Sequence, residues 1–333
     1  MSRLLAALAA LSLIAAACGD SSGGGGDLTG TVVISGSSTV EPISIGVAEK
    51  FGEVAPGVNV SVDGPGTGDG FELFCQGQTD ISDASRAISE EEIAACEEAG
   101  VEFIELKVAI DGIAVLTSPN NEQVADCLSY GDIYSLVGPE SQGFDQWSAA
   151  SALAAEIGDS KAAPFPDIPL VVTGPGEESG TYDSFVELVI EDIAEEREKQ
   201  AQTRPDYQAS ADDNVIVQGI TGSDSSFGWV GYAFYDFNRE RVIAFQVAGK
   251  SGECVEPNPE TIASGDYPIS RPLFIYVNVE KLDTNPALEE YVDLYLSDDG
   301  LSTVTEVGYV DLGDEDLSAT RQAWESRTAG TRE

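Results

Sequence analysis

Three short stretches of this chain carry residue types suited to holding an anion: GSSTVEP at 36–42, ASRAI at 84–88 and ESGTYDSF at 178–185. Each puts hydroxyls and glycine where a helix is expected to begin. A helix start presents unpaired backbone N–H groups and the positive end of the helix dipole. Such an end holds an anion, and hydroxyl side chains add donors. Three such ends point to one oxyanion gripped from several sides. The third stretch lies far from the first two in sequence, so the grip needs two halves of the molecule to meet.

The candidates fall into four groups. Ser37, Ser38 and Thr39 sit at a strand-to-helix turn. Thr67, between Gly66 and Gly68, offers a hydroxyl on a turn open to close backbone approach. Ser85 and Arg86 occupy a third loop, and Ser179, Gly180 and Thr181 open a later helix. Arg86 stands out because basic residues are scarce, and a guanidinium forks onto two oxygens of an oxyanion. Charge-assisted hydrogen bonds contribute roughly 1.5–3 kcal/mol each. About six of them exceed the ~8 kcal/mol of micromolar binding, leaving a margin for closing the two halves. Each group also has a bland reading. Ser and Thr before a helix are usually caps, a glycine turn is usually a turn, and Arg86 has Glu90 to Glu92 close by for a surface ion pair.

Composition removes competing chemistries. The 333 residues hold no histidine, so no Ser-His or Cys-His nucleophile and no histidine-bound zinc can be built. No metal and no cofactor is expected. The formal net charge of −43 leaves no basic stripe for nucleic acid and no affinity of the protein body for anionic lipid. It does not exclude a small anion, because surface charge is screened beyond ~8 Å at physiological salt.

Residues 1–17 have the pattern of a signal peptide: Met1 and Arg3, then an apolar run from Leu4 to Ala17 too short to span a bilayer. Ala15 to Ala17 before Cys18 resemble a lipoprotein processing site, with alanine where leucine is usual three places before the cysteine. Residues 18–30 follow as a Gly/Ser-rich tether, consistent with Cys18 lipidated and held at a membrane outside the cytoplasm. Four cysteines remain: Cys75, Cys96, Cys127 and Cys254. An even count in an exported chain points to two disulfides, with three pairings open. Cys75–Cys96 with Cys127–Cys254 is favoured, because the first pair would staple a local strand and helix.

The elements that must position these groups alternate as strand, glycine-rich turn and helix. TVVIS (31–35) is a buried strand and ISIGVAEKFGEVAP (43–56) a helix. SEEEIAACEEAG (89–100) has a serine cap, an acidic first turn and a glycine stop. Two adjacent strands are expected within 101–119, a long helix over 182–202, and a frayed tail from Thr328. The aromatic run at 227–238 is expected to be core. The grammar is that of an α/β fold. About 300 mature residues exceed one comfortable core, so two lobes are expected. They would be 31–113 with 273–327, and 114–272, joined by strands crossing near Asp111–Leu116 and Arg271–Tyr276.

GSSTVEPI, GTGDGFELFCQGQTDISDASRAI, AIDGIAVLTSPNN, ESGTYDSF and SADDNVIVQGITGSDSSFGWVGYAFY occur here in one order. Together they resemble the phosphate-binding proteins of Pst-type ABC transporters, over about Thr31 to Gly313. The resemblance implies a two-lobed type II periplasmic-binding-protein fold. Each lobe would be a mixed, mostly parallel sheet flanked by helices, with the ligand cleft between the lobes. It implies capture of inorganic phosphate, delivery to ABC permease subunits, and no catalysis; a monomer is expected. By motif, the contacts would be Ser38, Thr39 and the Val40 backbone, Thr67, Ser85 with Arg86, and Ser179, Gly180 and Thr181.

One departure has chemical consequences. Some members of that family carry aspartate at the Arg86 position and arginine at the Pro175 position. The acceptor for a phosphate proton must then lie elsewhere, and Asp111 is the candidate, set against a plain role in a hinge turn with Gly112. Other readings remain in view: sulfate, molybdate or a phosphonate as ligand, a phosphoester hydrolase using Ser38 or Ser179, or an adhesin or sensor on the same fold.

Overall fold

In the computed structural model the described residues are 28–177 and 179–332. The expected signal peptide, Cys18 and the expected tether up to residue 27 lie outside them. Leu28 packs against the first core, and Gly30 already opens a strand, so the end of the expected tether belongs to the fold.

The strands are β1 (Gly30–Gly36), β2 (Val58–Asp63), β3 (Ile81–Ala84) and β4 (Phe103–Thr117). Next come β5 (Cys127–Ser129), β6 (Val171–Gly174), β7 (Gln208–Ala209) and β8 (Ser226–Gly231). Last are β9 (Ile243–Ala244), β10 (Gln246–Ala248), β11 (Cys254–Val255) and β12 (Ser270–Asn278). The main sheet has the order β2-β1-β3-β12-β4-β8-β6-β7, with β9 also on β4; β11-β10-β5 form a small sheet.

The main sheet is parallel except where β4 or β12 takes part, and there it is antiparallel. These two strands are the crossings. Asp111 of β4 stands opposite Arg271 of β12, inside the expected crossing segments. On one side of that pair β4 meets β12; on the other it meets β8.

Two large hydrophobic cores flank the crossing. The first contains Val32, Ile34, Phe51, Leu106, Ile275, Tyr291 and Trp324. The second contains Ile113, Trp147, Phe185, Phe227, Trp229 and Tyr267. Buried parallel strands have helices on both faces, so their sequence runs are continuously apolar. The aromatic run behaves as expected in part: Phe227, Trp229 and Tyr232 are buried, and Trp229 stacks on Phe185 at 4.5 Å, but Phe237 is exposed.

Local signals are obeyed closely. Ser89 and Glu92 form a capping box on the helix Glu90–Ala99, and Gly100 stops it at φ 76°. Both favoured disulfides are present, Cys75–Cys96 and Cys127–Cys254. The first joins the helices Thr67–Cys75 and Glu90–Ala99, rather than a strand and a helix.

Three expectations are corrected. The segment 101–119 is one 15-residue strand, because Asp111-Gly112 continues extended between β12 and β8 instead of turning. The long helix is split into Gly180–Phe185, a π-helical turn Val186–Ile190 and Glu191–Glu196, and a reversal at Glu198 (φ 56°) follows. The tail is tied down. Gly330 donates its N–H to the Phe103 carbonyl at 2.8 Å, and the Arg332 amide donates to Glu105 at 3.1 Å.

Candidate functional site

β1 delivers the chain into the turn Ser37–Val40, and the helix Glu41–Val54 follows. Gly36 makes this turn possible. Its φ is 152°, and a Cβ there would fall 2.0 Å from the Asp83 carbonyl oxygen of β3. The Ser37 amide donates to that carbonyl at 2.8 Å, so the turn is fastened to its neighbouring strand. Within the turn, the Thr39 amide donates to Ser37 Oγ at 3.2 Å, and the Val40 amide donates to the Ser37 carbonyl at 3.1 Å. The Val40 N–H expected at the ligand is therefore engaged in shaping the turn.

A second arm comes from the helix Thr67–Cys75 and the end of β3. Thr67 Oγ1 lies 3.1 Å from Ser85 Oγ and accepts the Ser85 amide at 3.2 Å. Beside them, Arg86 donates through both Nη atoms to the Glu92 carboxylate, each at 2.8 Å, and lies over the Phe71 ring. Arg86 therefore makes the expected ion pair, with Glu92, and also lines the cleft. Burial alone would raise the Glu92 carboxyl, but hydrogen bonds from Arg86 and Ser89 hold it below the usual range.

The third arm is the helix Gly180–Phe185. Ser179 caps it by accepting the Thr181 amide at 3.2 Å. At Gly180 an added Cβ would lie 3.4 Å from the Ser38 carbonyl oxygen and 3.5 Å from Thr39 Cα, so the two lobes touch here. Ser38 Oγ donates to Asp183 Oδ2 at 2.9 Å, and Thr39 Oγ1 is 3.2 Å from Ser184 Oγ.

Between these arms lies a cleft of about 480 Å³. Its lining brings together Ser37, Ser38, Thr39, Thr67, Ser85 and Arg86 on one wall. The opposite wall is Tyr182, Asp183, Val186, Glu187 and Glu191. Ser179, Gly180 and Thr181 form the helix tip directly before this wall and are not in the lining. Asp111 is not in this lining. It is 1% exposed and accepts from Arg271 Nε at 3.4 Å. Burial raises its carboxyl, and the Arg271 charge and a hydrogen bond from Ser184 work against that rise.

Sequence reasoning missed Asp183, Ser184, Glu187 and Arg271. Asp183 and Glu187 had one available signal, the spacing of four that puts them on one helical face behind the SGT turn. Arg271 had none, since its neighbours Thr39, Asp111 and Ser184 are scattered along the chain.

Beneath the turn sits a carboxyl of another kind. Asp83 is fully buried, accepts from Ser44 Oγ at 3.0 Å through Oδ1, and has no partner for Oδ2 among the described residues. Burial pushes it up to about 8; the Ser44 bond opposes this, while Glu41 and Asp63 add to it. The folded state therefore keeps a proton that the unfolded chain releases near pH 4. Stability from this group is full below about pH 4 and is lost as pH rises to about 8. Asp83→Asn removes the ionisation. Its unfolding free energy relative to wild type is expected to improve from pH 6 to pH 9, whatever the fixed cost of the amide. Urea denaturation at the two pH values checks this, and a constant difference would contradict it.

A pair of α/β lobes joined by two crossing strands, with donors converging on the space between them, defines a ligand-capture protein. The chain belongs to the PBP superfamily, whose domain matches residues 21–299. Protein SphX of Synechocystis is 35% identical over 302 residues, covering 90% of this chain and 84% of that protein. The phosphate-binding protein PstS of Staphylococcus epidermidis is 32% identical, covering 90% and 85%. Among solved structures, a possible phosphate binding protein from Planctomyces limnophilus superposes with a TM-score of 0.81 at 34% identity, over 90% of this chain and 99% of that one.

Proposed function

We propose that this protein is the substrate-binding receptor of an ABC importer and that it captures inorganic phosphate, without catalysing a reaction. The observation that carries the reading is the convergence of four separate chain segments, Ser37–Thr39, Thr67, Ser85 with Arg86, and Tyr182–Glu191, on one cleft. The relatives named as phosphate-binding support the choice of ligand.

In this reading the lobes are residues 31–113 with 273–327, and 114–272. Phosphate enters against Ser38, Thr39, Thr67, Ser85 and Arg86, and the helix tip Ser179–Thr181 closes over it. Ser37 shapes the turn, and the Val40 amide becomes a donor if the turn adjusts around the ligand. Cys18 carries a lipid that holds the protein at the outer side of a membrane. The two disulfides suit that compartment. No helix among the described residues is long and apolar enough to cross a membrane.

The acceptor for the phosphate proton is assigned to Asp183 in place of Asp111. Asp183 faces the cleft and already accepts a hydrogen bond from Ser38. A carboxylate there accepts from a protonated phosphate and repels sulfate, which has no proton to donate at neutral pH. Calorimetry on protein stripped of carried-over anion tests the whole reading: heat with phosphate, little with sulfate. Asp183→Asn is expected to weaken phosphate binding about 10- to 100-fold, the worth of one charge-assisted hydrogen bond, and to narrow the gap to sulfate. Absence of heat with phosphate in the wild type would defeat the function. An unchanged phosphate-to-sulfate ratio in the variant would remove Asp183 from the role.

A further inference from the structure

Arg271 is 6% exposed and makes hydrogen bonds to four residues from three parts of the fold. It stands on the crossing strand β12, opposite Asp111 of the other crossing strand, and its Nε donates to Asp111 Oδ2 at 3.4 Å. Its Nη2 donates to Thr39 Oγ1 at 3.0 Å, in the turn of the first lobe. The same nitrogen donates to Ser184 Oγ at 2.7 Å, and Nη1 donates to Glu187 Oε2 at 2.5 Å, both on the helical wall of the second lobe. Arg271 does not line the cleft, but Thr39 and Glu187 do.

We propose that Arg271 is a positioning residue that fastens the cleft shut: one guanidinium on the crossing strands ties the anion-binding turn to the closing helix. The physical argument rests on which bonds survive opening. The bond to Asp111 joins the two crossing strands and is indifferent to how the lobes are set. The bonds to Thr39, Ser184 and Glu187 converge on one side chain only when the helix Gly180–Phe185 lies against the turn. Interactions present in one state and absent from the other shift the population toward the first. They therefore lengthen the life of the closed, loaded receptor. They do not speed the encounter with ligand, which takes place in the open state.

Glu187 has a definite place in this device. It is the half-exposed end of the network, reaching from the cleft wall to a buried cation. A carboxylate facing an incoming anion is unfavourable by itself. Its pairing with Arg271 neutralises that charge and turns it into a strut for closure. Arg271 is planar and forked, so it serves several acceptors at once, which a lysine does not.

The inference rests on phosphate as ligand, so wild-type binding is established first by calorimetry; if that fails, the ligand reading falls and closure remains to be read by small-angle scattering alone. The test is stopped-flow phosphate association and release for wild type, Glu187→Gln, Arg271→Lys and the double variant. Removing a buried arginine outright risks misfolding, because it strands Asp111; Glu187→Gln changes a half-exposed residue and avoids that risk. Release is expected to be about 10-fold faster in each single variant, with association within about twofold of wild type. The double variant should release little faster than Arg271→Lys, since both changes cut the same network. Unchanged release in Glu187→Gln overturns the proposal. So does slower release, which would mean that Glu187 only repels the ligand. Fully additive effects in the double variant overturn it as well.

Discussion

Gly36→Ala is expected to abolish phosphate binding and to lower stability by about 3 kcal/mol or more. The new Cβ would meet the Asp83 carbonyl oxygen at 2.0 Å and its amide nitrogen at 2.8 Å, and both are backbone atoms of a central strand. Neither a rotamer change nor a small shift of one side chain relieves such contacts. The backbone at φ 152° is also one that residues with a side chain rarely adopt. Relief requires β1 and β3 to separate at the point where the Ser37 amide is fastened to Asp83. The turn that presents Ser38 and Thr39 then loses its anchor. Gly68→Ala is the matched control: it lies in the same cleft, with nothing within 4 Å of an added Cβ, inside the helix Thr67–Cys75. Its stability should equal or slightly exceed wild type, because alanine is the better helix former by about 1 kcal/mol. Urea denaturation and phosphate calorimetry on the two variants separate a steric cause from a general intolerance of change at the cleft.

The second large effect is expected at Cys127–Cys254. This bridge closes a loop of 127 residues and ties β5 to β11, the two strands that flank β10. In the chain-entropy account, removing a cross-link over roughly a hundred residues costs about 5 kcal/mol, against about 3 for a loop of some fifteen to twenty. Cys127→Ser with Cys254→Ser should therefore lower the unfolding midpoint more than Cys75→Ser with Cys96→Ser, whose residues are 21 apart. Equal losses would mean that the reduced, unfolded chain is already compact around the second core. The first pair has an additional local effect, since it clamps the helix that carries Thr67 to the helix whose Glu92 holds Arg86. Losing it should weaken phosphate binding out of proportion to its effect on stability.

Much of the architecture could be read along the chain because the signals are local. Ser89 with Glu92, Gly100, and the apolar β-branched run of β1 each act within a few residues of themselves. Their meaning does not depend on the rest of the fold. The crossing near Asp111 and Arg271 was legible for a related reason: no polar linker divides the chain, so the connection had to be made by strands. The errors share a cause as well. Asp111-Gly112 reads as a turn in isolation, but β12 and β8 hold it extended from either side. The tail after Thr328 is polar and reads as frayed, but the backbone of Phe103 and the carboxylate of Glu105 are there to receive it. The helix after the SGT turn is continuous in its pattern, and the π turn at Val186–Ile190 falls at the cleft wall, where such turns are concentrated in proteins.

The order of residues determined which groups would line the cleft from the first lobe, since a turn, a cap and a glycine are each specified within a handful of positions. It settled the absence of histidine chemistry in the same way, through composition. What it left open was how partners would be shared. Arg86 was drawn to Glu92, Asp111 was buried under Arg271, and Asp183 took the place facing Ser38. Those assignments join residues up to 160 positions apart, and the bond from Arg271 to Thr39 spans 232. Electrostatic and hydrogen-bonding partners are chosen by distance in space and by the cost of leaving a buried group unpaired. Neither quantity exists until the chain has folded and packed.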